Sequence, residues 1–140
     1  MLDCNSPRKV TSRRRISYKP SAWKVHQFEI WSGELVCRVA VLRADRCLFL
    51  WLGGTAGKPE LGEMSMGVPA PEGLLQGCSR GGLATTLLGA DGTSTAMARR
   101  LAASLQRPVY VCSSCTLDRF TIPIVECGLI SEIKNRPECF

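Results

Sequence analysis

The sequence predicts an α+β fold: an antiparallel β-sheet of about six strands packed with two α-helices in a single domain. Three observations predict it. Apolar runs of about four to eight residues, too short for typical helices, dominate the first half of the chain. Apolar residues at helical spacing are confined to the second half. The length of 140 residues suits one domain, because domains commonly hold about 100–150 residues.

The first strand is expected at residues 25–31, where Val25, Phe28, Ile30 and Trp31 supply apolar groups and His26 is placed on the polar face. Residues 35–42 form a nearly continuous apolar run broken by Arg38. After the polar connector Ala44-Asp45-Arg46, residues 47–52 form a second such run. Two runs this close together read as an antiparallel hairpin. Between Gly53 and Gly77 lie eight further glycines and prolines, a density that punctuates rather than builds elements. A short strand is expected within that stretch at residues 63–68, and another at residues 83–88, closed by Gly89.

A helix starts next. Thr93, Ser94 or Thr95 can cap it, because a hydroxyl accepts from free first-turn amides. Met97, Leu101 and Leu105 make one apolar face, widened by Ala98 and Ala102, while Arg99, Arg100 and Arg107 are expected to face water. Pro108 ends the helix, and residues 108–112 read as a strand. A second helix is expected over residues 123–135, since proline suits a first helical turn. Val125, Leu129 and Ile133 form its apolar face with Ile130 beside them, and Pro137 stops it. Phe49, Trp51, Leu101 and Leu129 are expected in the core.

The net charge of +6 invites a nucleic-acid reading, but its distribution argues against one. Residues 1–24 hold seven Lys/Arg and one acid, whereas residues 25–140 hold eleven of each sign. The basicity belongs to a tail, expected to be disordered, and the body is neutral. Nucleic-acid domains carry positive charge on the folded face that meets phosphates. The cluster Arg13-Arg14-Arg15 leaves a nuclear-import or RNA-contact patch, or an organellar transit segment, as other readings of the tail. No apolar run approaches the roughly 20 residues of a membrane span.

Eight cysteines suggest disulfides only in a secreted setting. Cys37, Cys47 and Cys112 sit in apolar runs, where cysteine behaves as a small buried hydrophobe. Free thiols in a reducing compartment are expected. Cys112 and Cys115 form a CxxC, but no helical periodicity follows to lower a thiol pKa. His26 is the sole histidine, so a zinc site would need Cys78, Cys127 or Cys139 to complete it by folding. Gly53 to Lys58 resembles a phosphate loop, yet Leu52 stands where its first glycine belongs and Pro59 follows the lysine. No acid–base or nucleophile–base pair is legible, and an enzyme is not expected.

Three stretches, in order, resemble the proteasome assembly chaperone 4 family. They are Leu48-Phe49-Leu50-Trp51-Leu52-Gly53; Leu87-Leu88-Gly89 followed by Asp91, Thr93-Ser94-Thr95 and Met97-Ala98-Arg99-Arg100-Leu101; and Val109-Tyr110-Val111. The resemblance covers residues 25–140. The tail is longer and more basic than the family's, and residues 57–82 are longer and richer in glycine and proline. The family-like core positions are Phe49, Trp51, Gly53, Leu88, Gly89 and Leu101. The resemblance implies a non-catalytic chaperone that pairs with a sister, proteasome assembly chaperone 3, binds 20S proteasome α subunits and helps order the α-ring. It implies no cofactor or metal, and a cytoplasmic or also nuclear location. Arg99 and Arg100 are the candidate partner contacts. Two other functions stand beside this one: a nucleic-acid-associated protein acting through the tail, and a thiol redox protein using Cys112 and Cys115.

Overall fold

Alternating side chains and tight turns build the first half of the chain. The computed structural model describes residues 16–54, 60–71, 81–89, 92–115 and 117–140; residues 16–23 are exposed and carry no regular structure. Strand β1 (Lys24–Ser32) pairs antiparallel with β2 (Leu35–Arg43), and β2 with β3 (Leu48–Gly53). The first turn holds Gly33 at φ +59°, a left-handed conformation that costs a residue bearing a Cβ about 1–2 kcal/mol. The second is closed by Ala44 N–H donating to the Cys47 carbonyl at 3.0 Å.

Strands β4 (Glu63–Pro69) and β5 (Gly82–Leu88) form a further antiparallel pair. The chain then crosses the sheet as α1 (Thr93–Leu105) and inserts β6 (Val109–Ser113) between β3 and β4, giving the order β1-β2-β3-β6-β4-β5. Strand β6 is antiparallel to β4 but parallel to β3. The expected antiparallel sheet is therefore mixed. Hairpins declare their direction through short connectors, whereas β3 and β6 meet only after the α1 crossover. Helix α2 (Thr121–Asn135) and a 3-10 turn at Pro137–Cys139 complete the described elements.

Both helices lie on one face of the sheet. Helix α1 covers β4, β5 and β6, and α2 lies against β1. The core between the layers holds Val39, Val41, Leu48, Leu50, Leu52, Val109 and Val111 from the sheet, with Met97, Ala98, Leu101, Ala102, Val125 and Leu129 from the helices. At β4 the approach is so close that a Cβ on Gly67 would stand 2.2 Å from the Ala98 carbonyl oxygen.

Three details differ from the expected helices. The cap residue of α1 is none of the three expected hydroxyl residues. Gly92 occupies the cap position, and the buried Glu63 of β4 accepts the Ser94 N–H at 3.1 Å. A carboxylate there also meets the positive end of the helix dipole. The Ser94 and Thr95 hydroxyls turn to the sheet: Ser65 Oγ lies 2.7 Å from Ser94 Oγ and 2.8 Å from Thr95 Oγ1. Arg107 is only half-exposed and donates to the Phe140 backbone oxygen at 3.2 Å. Ile130 is 49% exposed, because the buried stripe of α2 runs through Val125 and Leu129 alone.

Candidate functional site: the open face of the sheet

Strand pairing sorts the residues that point away from the helices into two cross-strand rows. One row runs Val25, Leu42, Phe49, Tyr110, Met66, Thr85; the other runs Gln27, Ala40, Trp51, Cys112, Met64, Leu88. The middle of each row is apolar. The Phe49 and Tyr110 rings stack with centroids 6.4 Å apart and planes inclined by 25°. Cys112 is buried between Trp51 and Met64, and that burial pushes its thiol up to about 11. Gly53 sits beside the Trp51 indole, where an added Cβ would come within 3.2 Å of Nε1.

A charged margin borders the rows. Arg38 Nε donates to Glu29 Oε1 at 3.2 Å, and Trp31 Nε1 donates to Glu29 Oε2 at 3.0 Å. Between this margin and Trp51 lies an open hollow of about 430 Å³, lined also by Gln27 and Ala40. No described element covers the face. Trp31 is 69% exposed, and Leu83 and Leu88 are each 47% exposed. Flanking side chains alone half-bury the aromatic centre. A contiguous apolar patch with a polar rim is the anatomy of a protein-docking surface.

This placement corrects the expectation for Phe49 and Trp51. Both are half-buried on the open face, while Leu48, Leu50 and Leu52 take the core side of β3. The run 47–52 is apolar at every position, so its alternation could not be read from sequence. Leu88 also lies on the open face, opposite Met64, and Gly89 follows it at φ +90°. Leu101 and Leu129 are buried between helices and sheet. Arg99 and Arg100 are exposed on the helical side, and Arg100 forms an ion pair with Glu126 of α2. They are not brought together with the aromatic rows. Sequence reading missed Tyr110, Met64 and Met66 as surface. The signal was present: strands apolar on both parities call for cover on both faces, and this sheet has helices on one.

The chemically suggestive motifs resolve differently. Cys112 belongs to the open face, whereas Cys115 packs against the core on the other side, its Sγ 3.9 Å from the Leu52 carbonyl oxygen. The CxxC pair is thus divided between the two sides of the sheet, and α2 begins only at Thr121. His26 does not lie on a polar face. It shares the inward side of β1 with Phe28 and Ile30. Its Nε2 meets Glu132 Oε1 of α2 at 2.8 Å, and its ring packs 5.3 Å from Phe28 and 6.2 Å from Phe140. The pair clamps α2 onto β1. No cluster of three or more potential metal ligands occurs among the described residues. Residues 55–59 of the phosphate-loop-like stretch, Cys78, and Arg13-Arg14-Arg15 of the tail lie outside the described residues.

Residues 35–115, more than half of the chain, match the family described as Proteasome assembly chaperone 4. The chain belongs to the proteasome assembly chaperone 4 family. The matched span runs from β2 to Cys115 and so carries every strand of the open face except β1. Family membership supports a role as a proteasome assembly chaperone. Among solved structures, the chain is similar in fold to one from the crystal structure of a chaperone complex for yeast 20S proteasome assembly. That similarity has a TM-score of 0.51 at 14% identity and covers 84% of this chain and 94% of the other. A comparison with curated proteins gave no match.

Proposed function

We propose that the chain is a non-catalytic chaperone that pairs, through its open sheet face, with a sister of the proteasome assembly chaperone 3 kind. The pair binds 20S proteasome α subunits and promotes assembly of the α-ring in the cytoplasm, with the nucleus as a second compartment. It needs no nucleotide or metal. The observation that carries this reading is the apolar double row centred on Phe49, Trp51 and Tyr110, left uncovered while both helices occupy the other face. A sister of similar fold offers a second sheet, and two sheets packed face to face about 10 Å apart bury both apolar faces. The helical side, with exposed Arg99 and Arg100, then remains free for α subunits. Polar and charged complementarity there supplies selectivity among similar subunits.

The test is co-expression of the full chain with the sister chaperone and α subunits, read by native gel and mass spectrometry. The expected result is a stoichiometric heterodimer that retains α subunits and is absent from finished 20S particles. Phe49→Glu or Trp51→Glu abolishes pairing while the chain stays folded. Pairing that survives both substitutions, but is lost on Arg99→Glu, overturns the assignment of the open face.

A further inference from the structure

The docking reading leaves the basic N-terminal segment unused. Residues 16–23 are exposed and carry no regular structure. Ser17 is exposed among them, between Ile16, 59% exposed, and Tyr18, 63% exposed. Arg15 stands two residues ahead of Ser17 and Arg14 three residues ahead.

That spacing is selective. Basic residues stand both two and three places ahead of only two hydroxyl residues in the sequence: Ser17, and Thr11 with Arg8 and Lys9. No serine or threonine within residues 24–140 has the arrangement. Thr11 is followed by the polar Ser12, whereas Ser17 is followed by the aromatic Tyr18.

The fold makes Ser17 reachable. Seven residue steps separate it from Lys24, the first residue of β1. An extended chain covers at most about 3.3–3.6 Å per residue, so the hydroxyl can stand up to about 23–25 Å from the sheet. Pro20 steers the residue before it, Lys19, away from helix and toward extended backbone. Other hydroxyls are engaged. Ser65 and Ser94 are buried against each other at 2.7 Å, Ser113 Oγ donates to the Cys115 carbonyl at 2.8 Å, and Ser21 Oγ accepts the Trp23 N–H at 3.2 Å.

We propose that Ser17 is a phosphorylation site for an arginine-directed serine kinase, with a nucleoside triphosphate as phosphoryl donor. Ser17 Oγ attacks the γ-phosphorus. A new P–O bond forms, the bond from the γ-phosphorus to the β–γ bridging oxygen breaks, and the nucleoside diphosphate leaves. The hydroxyl proton passes to the catalytic carboxylate of the kinase. Arg14 and Arg15 select the enzyme. A guanidinium is a planar fork that pairs bidentately with carboxylates, and charge patterns of this kind are how kinases discriminate among substrates. Tyr18 supplies an apolar contact beside the acceptor.

The modification acts on charge rather than on packing. A phosphate adds about −1.5 to −2 to residues 1–24, whose side chains sum to +6, and leaves about +4. Ser17 and its described neighbours are exposed, so the sheet and helices lose nothing. The site does not rest on the chaperone reading.

The test incubates the full chain with magnesium-ATP and the catalytic subunit of cyclic-AMP-dependent protein kinase, which selects arginine-flanked serines, and maps phosphopeptides by mass spectrometry. The expected main product carries one phosphate, on Ser17, and is abolished in Ser17→Ala. Arg14→Ala and Arg15→Ala each lower kcat/KM by about 10–100-fold, as loss of a charged hydrogen-bonded pair does. Lys19→Ala, which removes a charge from the other side of the acceptor, leaves it unchanged. The full chain reacts as fast as a synthetic peptide of residues 8–24. Phosphate placed mainly on Thr11, a rate indifferent to Arg14 and Arg15, or a Ser17 modified in the peptide but not in the full chain overturns the proposal.

Discussion

Replacing Gly67 by alanine tests how α1 is seated on the sheet. The new methyl would stand 2.2 Å from the Ala98 carbonyl oxygen, 2.5 Å from its carbon and 3.0 Å from the Arg99 nitrogen. Carbon and oxygen normally approach no closer than about 3.3 Å, so a gap of about 1 Å must open. The obstacle is main chain on both sides, and no rotamer change relieves it. Helix α1 is also pinned, through Glu63 to Ser94 and through buried Met97, Ala98, Leu101 and Ala102. Overpacking costs about 1–3 kcal/mol, and rigid surroundings put this site near the top of that range. Removing a glycine from a strand returns about 0.5–1 kcal/mol. The net expectation is a loss of about 2 kcal/mol, or a Tm lower by about 6–12 °C for a domain of this size. Thermal and urea unfolding followed by circular dichroism measure it. Gly33→Ala is the control, because no atom lies within 4 Å of its added Cβ and only left-handed backbone strain of about 1–2 kcal/mol remains. A Gly67→Ala protein as stable as the wild type, or less affected than Gly33→Ala, refutes the close seating of the helix.

Four further outcomes follow from the same geometry. Glu63→Ala leaves the Ser94 N–H at the α1 start without its acceptor; it should cost about 1–2 kcal/mol and speed exchange of that amide. His26→Ala removes the bond to Glu132 and the packing on Phe140; a loss of about 1–2 kcal/mol should appear as faster amide exchange in α2 before the β2–β3 hairpin. Trp51→Glu should shift the stability of the isolated chain by under about 1 kcal/mol yet weaken sister pairing by about 2–4 kcal/mol, as loss of an aromatic anchor does; calorimetric titration separates the two. Alkylation of Cys115 should rise with pH through about 6 and level off above it, because the thiolate is the reacting form and its folded pKa is lowered. Cys112, raised to about 11, should stay slow over that range, and Cys37→Ala, which leaves no donor at that position, should move the Cys115 midpoint up toward ordinary thiols.

Local signals carried much of the architecture. The strand at β4 was legible even among glycines and prolines, because Glu63 to Val68 alternates. Helix α2 was legible from Val125, Leu129 and Ile133, and its observed start at Thr121 precedes the expected one by a single half-turn. Where alternation failed, so did the reading. In the run from Cys47 to Leu52 both parities are apolar, and nothing local says that Leu50 faces helices while Phe49 and Trp51 face outward. The α1 cap was misplaced for a related reason. A hydroxyl at Thr93, Ser94 or Thr95 satisfies a capping pattern, but the acceptor that serves the helix comes from Glu63 on another strand.

The chain by itself determined its element types, the neutrality of residues 25–140 and the ordered motifs of a proteasome assembly chaperone, because these depend on residue character and short spacing. Tertiary structure decided the rest. The insertion of β6 between β3 and β4 set the parallel pairing and aligned Phe49 with Tyr110 and Trp51 with Cys112. Placing both helices on one side left those rows open. The same folding separated Cys112, beside Trp51 on the open face, from Cys115, which packs against the core. Such contacts join residues far apart in sequence, and only the closing of the sheet brings them within reach.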